Sequence, residues 1–161
     1  THGFDDQGSK YDKNGNLSQW WTEEDTKRFN ERIQVMRDYH DSIEVLPGLH
    51  SNGSLTLGEN MADHGGLMVA YQAFVNATAQ APLSDKDGFT PAQRFFLAYA
   101  NVWGQNIRDE EIRKRVKSDP HSLGKWRVNG QMPHMDAWYE AFGITEQDPM
   151  FVPKEKRVTI W

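Results

Sequence analysis

The chain has 161 residues, enough for one domain around a single core, and 37% apolar residues with 13 glycines exclude a disordered polymer. Eighteen Lys and Arg against 23 Asp and Glu give a net charge of −5 without a long run of either sign, so a nucleic-acid partner is not expected. No stretch approaches the roughly 18 apolar residues of a membrane span, and zero cysteines exclude disulfides, thiolate catalysis and cysteine-type zinc sites.

Residues 3–16 carry Gly8, Gly15 and an Asn14-Gly15 turn signal, which predict a non-helical loop or short hairpin near the N-terminus. Thr22 then reads as the N-cap of a helix from about Glu23 to Asp41, with acidic residues in its first turn. Phe29, Ile33, Met36 and Tyr39 step by three or four along it and form one buried stripe. Pro47-Gly48 and Asn52-Gly53 mark a connecting loop, and Thr56 opens a second helix reaching about Ala79. Gly65-Gly66 inside that helix suggests the close approach of another backbone. Thr90-Pro91 supplies N-cap and first position of a third helix through about Trp103, and a short charged helix follows from Asp109 to Lys117. Asp119-Pro120 ends it, because the residue before a proline avoids helical geometry. A last helix is expected from Met132 to Phe142 with Gly143 as C-cap, followed by an extended tail. The fold class is therefore mainly α with long loops.

Glu59 and Asp63 stand four apart, so their carboxylates project from one helix face about a turn apart. Three readings compete for them. Thr56-x-x-Glu59 matches a capping box, the two residues together match a solvated acidic edge, and Glu59 suits a metal with Asp63 orienting a histidine ligand. His2, near the chain start, would by itself be a mobile terminal residue.

Thr1-His2-Gly3-Phe4-Asp5-Asp6, followed far downstream by Leu57-Gly58-Glu59-Asn60-Met61-Ala62-Asp63-His64-Gly65-Gly66, resembles the neprilysin and endothelin-converting-enzyme family of zinc metallopeptidases. The resemblance continues through Phe95–Trp103, Asp119-Pro120-His121-Ser122, Arg127-Val128-Asn129-Gly130, Glu140-Ala141-Phe142-Gly143 and the terminal Trp161. It implies that residues 1–161 are the C-terminal helical part of a thermolysin-like zinc metallopeptidase catalytic domain. His2 then matches the second histidine of H-E-x-x-H, Glu59 the third zinc ligand, and Asp63 the aspartate that orients His2. His121 matches the histidine that stabilises the oxyanion, Arg127 the arginine that grips a substrate carbonyl, and Val102 and Trp103 the wall of the pocket for the residue after the cut. Without the resemblance, His121 reads as an exposed loop histidine, Arg127 as a surface ion-pair partner, and Val102 and Trp103 as helix core. Asp5 and Asp6 are expected to be structural, holding the turn after the zinc helix.

The resemblance implies an endopeptidase that cuts on the amino side of hydrophobic residues, works outside the cytoplasm and carries one Zn²⁺. The segments matching the cysteine positions of vertebrate members, at Gly104, Ile144 and Val158, hold none, as in a bacterial member. The motif's first histidine and its general-base glutamate are expected as His-Glu-x directly before Thr1, from an upstream part on the same or a separate chain. With two of three ligands and no base, the 161-residue chain alone is expected to bind zinc weakly or not at all and to lack useful peptidase activity. The alternative class is a noncatalytic helical module that docks a peptide or protein through its aromatic residues.

Overall fold

The computed structural model describes residues 1–160, so the terminal Trp161 lies outside the described residues. The chain divides into two compact units, and it is mainly helical, as the patterning predicts. The first unit comprises Thr1–Gly65, Asn106–Leu123 and the residues from Val158 onward. The second comprises Gly66–Gln105 and Gly124–Arg157.

In the first unit, the N-terminal segment, expected as a non-helical loop or short hairpin, is partly helical. It contains two 3₁₀ turns, His2–Phe4 and Gly8–Lys10, before a Tyr11–Leu17 bridge closes the predicted hairpin. The Asp12 carboxylate accepts the backbone N–H groups of Asn14 and Asn16, which holds the hairpin tip. Helix α1, Glu23–Asp41, begins where Thr22 caps it, its Oγ1 accepting the Asp25 N–H at 3.1 Å. Its buried residues are Phe29, Ile33, Met36 and His40, so His40 takes the place expected for Tyr39. The two differ by one position, about 100° around the helix axis, and packing rather than hydropathy decides which one points inward.

The segment read as a connecting loop pairs briefly instead: β1, Glu44–Leu46, and β2, Leu49–His50, run antiparallel on either side of Pro47-Gly48. Asn52 then starts α2, Leu57–Gln80, by accepting the Leu55 N–H on its side chain and the Thr56 N–H on its carbonyl. Helix α4, Asp109–Ser118, matches the charged helix expected there and stops before Pro120. Phe29, Ile33, Met36, Leu57, Met61 and Val158 form the core of this unit.

The second unit holds the remainder of α2, then α3, Pro91–Val102, whose capping box joins Thr90 and Gln93 reciprocally. A short helix absent from the sequence reading, α5, spans Gly124–Asn129. The last predicted helix is shorter than expected: Met132–His134 is a 3₁₀ turn and α6 runs only from Asp136 to Phe142. Pro133 has no N–H to give to a continuous α-helix, so the chain restarts after it. Gly143 closes α6 in the left-handed region, φ 64°, as its role of C-cap predicts. Beyond its chain neighbours and its own helix backbone, no described atom lies within 4 Å of where a Gly66 Cβ would sit, so the expected approach of another backbone does not occur at that glycine. Leu67, Phe96, Val128, Met132, Trp138 and Tyr139 form this unit's core, and the Arg157 guanidinium stacks 3.6 Å from the Tyr139 ring centre.

Two fully buried histidines in the first unit give it a pH dependence. Burial lowers His40 to about 4, with the neighbouring His64 adding to the effect, and burial lowers His64 to about 4 as well. Above pH 6.5 both are neutral in folded and unfolded chains and contribute no difference. As the pH falls from 6.5 toward 4, the unfolded chain takes up protons that the folded chain refuses, and stability is lost. Each histidine removes on the order of 3 kcal/mol across this window. Urea unfolding followed through Trp21 at pH 7 and pH 4.5 should show this loss, and a His40→Leu, His64→Leu double variant should lose distinctly less over the same interval.

Candidate metal centre

His2 sits in the first 3₁₀ turn, and the carboxylate that meets it comes from the end of the same turn. Three residues per turn place positions i and i+3 on one face, so Asp5 lies over His2, with 2.7 Å between Asp5 Oδ2 and His2 Nδ1. This is the contact that resemblance assigned to Asp63; the structure gives it to Asp5, while Asp63 stands partly buried one turn beyond Glu59 on α2. Asp5 also does what the sequence expected of it. Its Oδ1 accepts the N–H groups of Gln7 and Gly8, at 2.9 and 2.7 Å, and so ties the two 3₁₀ turns together. Burial alone would raise the Asp5 carboxyl, but the bonds from Gly8, His2 and Gln7 with the charge of His2 outweigh it and hold it below the ordinary carboxylate range.

With Nδ1 engaged by Asp5, the other nitrogen of His2 faces α2. Nε2 lies 3.6 Å from Glu59 Oε2. His121 approaches the same oxygen, its Nε2 3.3 Å away, from the loop that follows α4. Glu59 is therefore not a capping residue: its carboxylate is at the two imidazoles, and Thr56 bonds elsewhere, donating to the Asn52 carbonyl at 2.9 Å. The His121 ring is itself held by Asp119, whose Oδ1 lies 2.8 Å from Nδ1 and accepts the His121 N–H at 2.9 Å. That backbone bond is the main reason Asp119 titrates below its ordinary value; burial opposes it, and the bond to the His121 ring adds to the lowering.

Asp5 and Asp119 are the two residues of this constellation that the sequence reading left without a role at a histidine. Each had a signal: an aspartate three positions after one histidine and two positions before the other, both at turns. Beside Glu59, a cavity of about 300 Å³ is lined by Asp5, Asp6, Gln7, Gly58, Glu59 and Pro120.

In the second unit, Arg127 on α5 stacks on Trp103, with the guanidinium carbon 3.8 Å from the ring centre, and Tyr99 donates to the Arg127 carbonyl at 3.0 Å. Trp103 packs against that unit's core, whereas Val102 is 69% exposed and is not the core residue that its helical position suggested. Each unit thus gathers its own share of the expected site residues: His2, Glu59 and His121 in the first, Arg127 and Trp103 in the second.

The first-unit donor set suits zinc in type and spacing. Two ligands at ordinary zinc distances and a tetrahedral angle stand about 3.3 Å apart, close to the 3.6 Å between His2 Nε2 and Glu59 Oε2. An aspartate on the remote nitrogen of a histidine fixes its tautomer and leaves a lone pair on the near one. Among the described residues no group of three or more His, Cys, Asp or Glu is arranged to hold a metal ion.

Gly8 permits this arrangement, because an added Cβ there would run into the His2 carbonyl. The Gly8→Ala variant should therefore lose about 1–3 kcal/mol in urea unfolding. Nuclear magnetic resonance should also show the His2 ring moved away from Glu59.

Relatives share this arrangement of sequence and fold. The crystal structure of the Mycobacterium tuberculosis zinc metalloprotease Zmp1 with an inhibitor superposes with a TM-score of 0.95 at 39% identity, covering 99% of this chain and 25% of that one. The crystal structure of PepO from Lactobacillus rhamnosis gives a TM-score of 0.82 at 36% identity, covering 99% of this chain and 24% of that one. Among curated relatives, human neprilysin is 35% identical across 100% of this chain, which spans 22% of its length. The endothelin-converting enzyme homolog of Locusta migratoria is 39% identical over 88% of this chain, spanning 20% of its length. The chain thus spans about a quarter or less of these proteins, and since residues 1–158 match the profile of Peptidase family M13, it belongs to that family.

Proposed function

We propose that this chain supplies one share of the active site of a neprilysin-like zinc endopeptidase. The observation that carries the reading is the convergence of His2 and Glu59, 57 positions apart in the chain, to 3.6 Å, with the remote nitrogen of His2 already engaged by Asp5. A docking module has no need of such a pairing.

In this reading His2 and Glu59 would hold the zinc, and Asp5 would keep His2 in the tautomer whose Nε2 is a donor to metal. Zinc, when bound, supplies Lewis acidity and a nucleophile at neutral pH. His121, aimed by Asp119, donates from Nε2 in its imidazolium form to the oxyanion that develops on the substrate carbonyl. Arg127, its plane set by the stack on Trp103, offers a planar fork to a backbone carbonyl of the substrate. Val102 and Trp103 contribute apolar surface for the residue after the scissile bond, which favours cleavage on the amino side of hydrophobic residues. A further histidine ligand and the glutamate that acts as general base come from an upstream part of the enzyme, on the same or a separate chain. The 161-residue chain by itself binds zinc weakly and does not turn over peptides. An extracytoplasmic site of action fits the resemblance, and among the described residues no helix is long and apolar enough to cross a membrane.

Calorimetric titration with Zn²⁺ tests this directly. The chain should bind weakly at one site, and His2→Ala or Glu59→Gln should weaken binding about tenfold or more, with Asp5→Asn about tenfold. Equal affinity in all four proteins would overturn the assignment, and chelator-sensitive cleavage of a short peptide by the chain alone would overturn its expected inactivity.

A further inference from the structure

One buried polar chain runs directly behind the Glu59 and His121 contact. Ser122 Oγ donates to Asn60 Oδ1 at 2.7 Å, Asn60 Nδ2 donates to Thr56 Oγ1 at 2.9 Å, and Thr56 Oγ1 donates to the Asn52 carbonyl at 2.9 Å. Each hydroxyl in this series has its acceptor, and the three side chains are buried, Asn60 almost completely. Two adjacent pairs of residues therefore face each other across the same gap. Glu59 meets His121 at its partly exposed edge, and their sequence neighbours Asn60 and Ser122 meet in the interior.

The two contacts differ in kind. The Glu59 to His121 distance is 3.3 Å on a ring whose side chain is 46% exposed, so water competes for both groups. The Ser122 to Asn60 bond is shorter and closed to water, where a hydrogen bond is electrostatically stronger and an unmet partner costly. Both contacts join the loop that carries His121 and Ser122 to α2. Asp119 restrains the same loop from its other side, by bonds to the backbone and ring of His121, and it fixes the rotation of the ring. Nothing in that contact anchors the loop to α2.

We propose that Asn60 is a positioning residue, which through Ser122 anchors the His121 loop to α2 and so sets where the His121 imidazole stands relative to Glu59. It acts through Ser122 and Glu59's own helix, without touching a reacting group. The consequence for catalysis rests on the reading of His121 as the oxyanion donor, whereas the positioning itself is a property of this chain and can be read without any turnover.

The experiment uses the isotopically labelled 161-residue chain and follows the nuclear Overhauser contact between the His121 ring and the Glu59 side chain, with the His50 ring as an internal reference. Ser122→Ala, which removes a single hydroxyl, should abolish the contact, and Ser122→Thr, which restores it, should bring it back. Asn60→Leu should abolish it from the other end of the bond. If Asn60→Leu unfolds the unit, seen as collapse of the Trp21 and Phe29 resonances, the serine pair decides. Retention of the wild-type contact in Ser122→Ala would overturn the proposal, as would its loss in Ser122→Thr. Zn²⁺ affinity measured in the same proteins separates this from the metallopeptidase reading. Ser122→Ala should leave the affinity within about twofold of wild type, since the loop carries no proposed ligand. A wild-type chain indifferent to His2→Ala would sink the zinc assignment while leaving the resonance result to decide the role of Asn60.

Discussion

The structure of the site depends on one carboxylate oxygen. Oε2 of Glu59 faces Nε2 of His2 and Nε2 of His121, and each ring is met at its other nitrogen by an aspartate, Asp5 or Asp119. The resulting series, Asp5–His2–Glu59–His121–Asp119, contains three carboxylates and two imidazoles. Both aspartates titrate below their ordinary values, so they stay ionised at neutral pH. Even with both rings protonated the series retains a negative charge, which a divalent cation beside Glu59 would offset.

Helix boundaries were the most legible part of the sequence because they are written in local chemistry. Thr22 and Thr90-Pro91 act at the positions where their side-chain oxygen and missing N–H suit a helix start, and Gly143 stands where a left-handed residue is required. What the sequence did not disclose is decided by contacts or by lengths too short to show a period. α5 has only six residues and opens with Gly124, so neither propensity nor periodicity marks it. Tyr39 and His40 exchange places because a neighbouring buried histidine is invisible to a hydropathy pattern.

The candidate site was legible in a different way. Composition and spacing left Glu59 between a cap, a solvated edge and a ligand, and only the resemblance joined it to His2 across the chain. The structure resolves the choice against the cap, since Thr56 turns its hydroxyl to Asn52 and Asn60. The carboxylate at His2 Nδ1 is that of Asp5, while Asp63 stands one turn beyond Glu59 on α2. A helical reading sees only partners three or four positions away on a helix, and the 3₁₀ turn that puts Asp5 over His2 lies where a loop was expected.

The first unit contains two kinds of histidine that sequence alone cannot separate. His40 and His64 are fully buried, and burial keeps them neutral down to about pH 4. Neither ring nitrogen of His40 has a hydrogen-bond partner among the described residues, so protonating it gains nothing that compensates for lost hydration. His2 and His121 are exposed, and each has a carboxylate on one nitrogen and Glu59 opposite the other. A ring set in this way has a defined direction and a defined tautomer, which a ligand or a hydrogen-bond donor needs and a packing residue does not. The partner on the second nitrogen therefore separates the roles better than burial or sequence position, and in this chain it is supplied by aspartates at turns, close to their histidines, whose spacing carries little meaning until the backbone is known.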